Sequence, residues 1–205
     1  MNQTPIPLFL AVEDALSEAV LRRCLDEFQP KFEIIQCLRQ DGFGYLKKNI
    51  AKFTQIAKQY SILVLIDLDN SPCAVEKVKT WLAEKPQHPN FIFRVAVREV
   101  EAWLLADAEN LGNFLGISSQ VFVGQNPDTL PNPKEHLIQT VHDKCRKRRL
   151  RESIVPAPGA TSKVGPDYNG VLIQFVESHW KPLSAQEVSE SFRRTYQRLQ
   201  DFKQA

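Results

Sequence analysis

Two pairs of acidic residues stand directly behind short apolar runs. Glu13-Asp14 follows Leu8-Phe9-Leu10-Ala11-Val12, and Asp67-Leu68-Asp69 follows Ile62-Leu63-Val64-Leu65-Ile66. Runs this short and this apolar read as strands buried on both faces, which puts the carboxylates at the C-terminal edge of a sheet. Open α/β sheets bind their ligands at that edge. If the two strands are neighbours, Glu13, Asp67 and Asp69 converge in one crevice, where their repulsion calls for a proton or a cation. Carboxylate oxygens are hard donors, so Mg²⁺ or Mn²⁺ is the expected counter-charge. An Asp-x-Asp alone is more often a solvated turn and helix cap. Glu13 on the facing strand is what favours a metal.

Glu99 and Glu101 fall where a fourth apolar run, Phe91 to Val97, gives way to a helical pattern. On a functional reading they add ligands for a second cation. Paired cations about 3.5–4 Å apart stabilise both the attacking and the leaving oxygen of a phosphodiester. On a bland reading they are first-turn acids favoured by the helix dipole, with Glu101 pairing to Arg98.

From Lys144 to Arg151 the chain reads KCRKRRLR. Lys144, Arg146, Lys147, Arg148, Arg149 and Arg151 are candidate contacts to a nucleic-acid backbone, against the alternative of a solvated helix face. No aromatic residue lies within the run to stack a base. His88, His136, His142 and His179 lack zinc-binding spacing. Neither G-x-x-x-x-G-K-[ST] nor G-x-S-x-G occurs, which disfavours autonomous ATP hydrolysis and a serine hydrolase.

The elements that must position these residues follow from periodicity. Strands are expected at Leu8 to Val12, Phe32 to Leu38, Ile62 to Ile66 and Phe91 to Val97. Helices alternate with them: one capped by Ser17, one bearing Leu46, Ile50, Phe53, Ile56 and Ala57 on a single face, one opened by Ser71-Pro72, and one from Val100 to Ala106. Gly42 and Gly44 mark the turn after the second strand. The alternation predicts an α/β, Rossmann-like parallel sheet of about four strands flanked by helices, in an order such as 2-1-3-4.

After residue 107 the pattern changes. A loop-rich stretch leads to a helix opened by Asn132-Pro133-Lys134-Glu135 and running into the basic cluster, then to helices near Gly170 to His179 and Ser184 to Phe202, the last with Ser184 and Glu187 at capping-box spacing. The expected organisation is a core over 1–107 and a mainly helical extension over 108–205, packed on that core.

Composition sets the outer limits. Hydrophobic residues at 43% and charged residues at 24% are ordinary for a globular chain, and a net charge of +2 does not argue for nucleic acid by itself. The four cysteines form no C-x-x-C pair, so reduced thiols in a cytoplasmic protein are expected. No export signal and no stretch of membrane-spanning length is apparent, so no membrane association is expected.

Leu10-Ala11-Val12-Glu13 with Ser17-Glu18, followed by Leu65-Ile66-Asp67-Leu68-Asp69, resembles the TOPRIM family of topoisomerases, primases and the nuclease half of overcoming-lysogenization-defect (OLD) proteins. The resemblance covers about the first 107 residues; where that family usually has glycine after the glutamate, this chain has Asp14. Val97 to Asp107, Gly165-Pro166-Asp167-Tyr168-Asn169, Trp180 and Ser191-Phe192 are similar to segments of little-studied bacterial TOPRIM-like proteins.

The resemblance implies a Mg²⁺- or Mn²⁺-dependent nuclease, or a nuclease-like subunit of a bacterial defence system with an ATPase partner. Nucleic acid, DNA ahead of RNA, is then the substrate, a homo-oligomer stays open, and Lys163 is the basic residue that stabilises transition-state charge. Two other readings fit the same acids: a receiver-like module with Asp67 as phospho-acceptor, and a non-catalytic subunit that binds an ATPase.

Overall fold

The structure, a computed structural model, describes residues 4–39, 44–83 and 87–205. Gly42 lies outside them. Contacts divide the chain into two compact units, Met1–Val97 with Arg194–Ala205, and Arg98–Arg193. The boundary therefore falls ten residues before the expected one, and the last residues return to the first unit.

The first unit is built on four parallel strands: β1 (Ile6–Ala11), β2 (Phe32–Leu38), β3 (Ser61–Asp67) and β4 (Phe91–Ala96), ordered β2-β1-β3-β4. This is the expected α/β, Rossmann-like sheet. β3 is central and buried from Ser61 to Ile66, as its unbroken apolar run requires; β2 is an edge strand and shows exposed positions. The crossovers are α1 (Ala15–Asp26), α2 (Tyr45–Ile56) and α3 (Ala74–Leu82). Leu46 and Phe53 of α2 join Val64, Ile66 and Val95 in one apolar cluster. Near the chain end, Lys31 Nζ donates to the carbonyls of Leu199 and Gln200 at 2.8 and 2.6 Å, and the Phe202 ring stacks on Phe32.

The second unit is helical: α4 (Glu101–Leu105), α5 (Ala108–Leu115), α6 (Pro133–Lys144), α7 (Arg148–Ile154), α8 (Tyr168–Ser178), α9 (Pro182–Val188) and the start of α10 (Glu190–Gln200), with short 3₁₀ turns at Ser119–Val121 and Pro127–Thr129. Trp103 is fully buried; its Nε1 donates to Ser191 Oγ at 2.7 Å, and Trp180 Nε1 donates to the Trp103 carbonyl. α4 packs with α5, α6 and α9, which is why it belongs here and not with the sheet.

Several helix starts differ from expectation. Asp14, not Ser17, caps α1, because Asp14 Oδ1 accepts from the Ser17 N–H at 2.8 Å. Cys73, not Ser71, precedes α3. The Ser184–Glu187 capping box does not form: Lys181 precedes Pro182 at the first position of α9, and the expected single C-terminal helix is two. Asp128 causes the break. Its carboxylate accepts from Ser189 Oγ and the Ser191 N–H, both at 2.8 Å, while Ser189 Oγ accepts from the Phe192 N–H at 3.1 Å and so caps α10.

Candidate functional site

In the first unit the acids gather where β1 and β3 end. Leu10 stands opposite Leu63 and Ala11 opposite Val64. Carried two residues further, that register sets Glu13 level with Ile66, one strand spacing away. Asp67 is the last residue of β3 and half-buried, whereas Glu13 and Asp69 are exposed. Glu13 and Asp69 line one crevice of about 700 Å³, together with Tyr45, Lys47, Lys77 and Trp81. The crevice lies at the switch point, where strand order reverses and open sheets bind ligands.

Lys77 is the residue that sequence reasoning missed. Its ammonium donates to the carbonyls of Asp67 and Leu68 at 2.6 and 3.0 Å and to Asp69 Oδ2 at 2.9 Å. Three N–H groups meet three acceptors, so the lysine is saturated. It holds the turn in which Asp69 adopts φ +50°, a conformation that Asp tolerates. The available signal was its place in the first turn of α3, where the helix dipole disfavours a cation.

Among the described residues, no three His, Cys, Asp or Glu side chains are grouped so as to hold a metal ion. The first-unit acids therefore do not form a closed protein cage. Two carboxylates lining an open crevice do suit Mg²⁺, which takes one or two carboxylates and completes its shell with water and substrate phosphate.

The second unit has its own acid–lysine group. Glu99 Oε2 accepts from the Lys134 N–H at 2.9 Å at the start of α6, and Glu99 Oε1 lies 3.9 Å from Lys134 Nζ. Glu101 is buried. Its Oε1 accepts from the Tyr168 hydroxyl at 3.0 Å and lies 3.4 Å from Lys134 Nζ, while Oε2 has no hydrogen-bond partner. Burial pushes the Glu101 carboxyl above the ordinary range; Lys134 opposes this, and the Glu99 charge adds to it. Lys163 is exposed and shares a cavity of about 690 Å³ with Glu99 and Lys134. Lys134 stands beside both Glu99 and Glu101, where the sequence reading expected a second cation.

The basic run is not one helix. Lys144 ends α6, Arg146 and Lys147 lie in the break, and Arg148, Arg149 and Arg151 lie on α7; all six are exposed. Lys147 Nζ donates to the Phe114 carbonyl at 2.7 Å and so covers the end of α5, Arg148 pairs with Glu152 at 2.7 Å, and Arg151 reaches the Cys145 carbonyl.

A family model described as a domain of unknown function, DUF4276, matches residues 12–175, which is most of the chain. The chain belongs to DUF4276. The span matched as DUF4276 takes in Glu13, Asp67, Asp69, Glu99, Glu101, Lys134, Lys163 and Tyr168, so both acid groups lie inside it. No curated protein and no solved structure matches this DUF4276 chain. Among the described residues, no helix is long and apolar enough to cross a membrane.

Proposed function

We propose that the first-unit crevice is a metal-dependent phosphodiesterase site of TOPRIM type that acts on nucleic acid. The observation that supports this reading is the joint placement of Glu13 and Asp69 in one crevice at the β1–β3 switch point, with Asp67 at the strand end between them in sequence. Glu13 and Asp69 would hold Mg²⁺ or Mn²⁺, with water and substrate phosphate completing its shell and Asp67 adding its charge at the strand end. Such an ion, when bound, supplies Lewis acidity and a water of lowered pKa. The chain's own residues do the rest. Lys77 fixes Asp69 and the two carbonyls before it, so the carboxylate needs little reorganisation when charge develops. Lys47, exposed on the first turn of α2, offers a cation to a backbone phosphate. The basic run of the second unit is proposed as a further backbone contact; an ATPase subunit is the partner that the OLD resemblance implies.

The test is nicking of plasmid DNA with Mn²⁺. Glu13→Gln and Asp69→Asn should each lower it by about 10²-fold or more. Wild-type protein that is inert with every divalent cation tried, or a stable acyl phosphate on Asp67 after acetyl phosphate treatment, would overturn the reading.

A further inference from the structure

The crevice holds two aromatic side chains that hydrolysis of a sugar–phosphate backbone does not require. Tyr45 and Trp81 both line it. Each is anchored on one core ring: Tyr45 meets Phe53 edge-on with centroids 6.4 Å apart, and Trp81 meets Phe93 edge-on at 5.9 Å. Both stay half-buried, whereas the other two of the chain's three tryptophans, Trp103 and Trp180, are fully enclosed. Trp81 thus packs against the core and also lines the crevice. The volume of about 700 Å³ lies within the range of small-molecule pockets, roughly 300–1,000 Å³.

Aromatic faces beside acids and a lysine match the parts of a nucleotide. Bases stack on such faces whatever their identity, and a phosphate finds Lys47 in the same crevice. Stacking on a side chain needs a base released from its own duplex. Lys77 is spent on its three oxygens, so Lys47 is the cation that meets the ligand.

We propose that this crevice binds unpaired nucleotides, with bases against Trp81 and Tyr45 and the backbone at Lys47. Its substrate class is then single-stranded nucleic acid, as an end or a loop, and not intact duplex. This deepens the phosphodiesterase reading and rests on it for cleavage alone; binding is measured without metal.

The full-length protein in EDTA is titrated with an oligothymidylate of about eight nucleotides and with a blunt duplex of equal length. Tryptophan emission should fall with the single strand, and this quench should vanish in Trp81→Phe, because the two remaining tryptophans are enclosed. A labelled oligothymidylate should bind the Trp81→Leu/Tyr45→Leu variant roughly tenfold more weakly, as expected for lost stacking. Leucine keeps apolar volume against the core, and the melting transition shows that the variant is folded.

Equal binding of single strand and duplex overturns the proposal, as does a quench that survives in Trp81→Phe. If the leucine variant does not fold, the Trp81→Phe titration decides alone. Aromatic-dependent binding without cleavage in Mn²⁺ keeps this inference and removes the hydrolytic one. Cleavage without aromatic-dependent binding does the reverse.

Discussion

The Tyr168 hydroxyl donates a 3.0 Å hydrogen bond to Oε1 of Glu101, a carboxylate that is 1% exposed. Lys134 and Glu99 are the charged groups beside it. Burial first, and the Glu99 charge after it, hold the Glu101 carboxyl above its ordinary range. A carboxyl raised in the folded state keeps its proton after the unfolded chain has released it. Folding stability therefore declines as pH rises from the unfolded carboxyl value to the folded one. Glu101→Gln removes that titration, so the stability difference should move in the variant's favour as pH increases. Urea midpoints of both proteins at about pH 4 and about pH 8 measure it; an unchanged difference would show that Glu101 titrates normally.

Lys77→Met removes an ammonium that donates to three oxygens at the end of β3. Leaving such acceptors unsatisfied costs about 1–3 kcal/mol, read as a lower urea midpoint. Lys77→Arg should recover only part of this, because a planar fork replaces a compact ammonium. Faster amide exchange at residues 67–71 should accompany the loss.

The basic run should separate into two roles. Lys147 covers the end of α5, so Lys147→Ala should cost about 0.5–1.5 kcal/mol of stability. Lys144, Arg146 and Arg149 are exposed, and replacing all three with alanine should leave stability within about 0.5 kcal/mol. If the run contacts phosphate, the triple variant should flatten the plot of log affinity against log salt by up to about three units. An unchanged slope assigns the run to a solvated surface.

Gly165 has no room for a side chain, since a Cβ there would stand 2.3 Å from the Ser153 carbonyl oxygen. That contact is with backbone and cannot swing away. Gly165→Ala should destabilise the protein by about 1–3 kcal/mol, with a lower midpoint as the readout. Wild-type stability in the variant would mean that the 153–154 segment yields.

The sheet was legible because β1 and β3 carry unbroken apolar runs, β3 being buried almost throughout, and their acids mark the same ends. The order followed from placing those two strands side by side. What was lost was non-local. Ser17 and Asp14 are both good cap residues, and only the reach of Asp14 Oδ1 to the Ser17 N–H decides between them. The break before α10 is made by Asp128, 61 positions from Ser189. Lys77 and Lys134 look like solvated helix lysines in the sequence, yet each meets the acids that the sequence did single out. A positive charge beside the acids was foreseen in both units; that a lysine stands there in each was not.

Residues Arg194–Ala205 complete the first unit, although Arg98–Arg193 separates them from the strands they join. On a ribosome adding about 5–20 residues per second, the N-terminal strands emerge several seconds before the segment that stacks on Phe32 and takes up Lys31. During that interval the N-terminal strands lack the segment that completes their unit. A premature stop shortly before residue 194 would make the lack permanent, even though every strand and both acid groups had been translated.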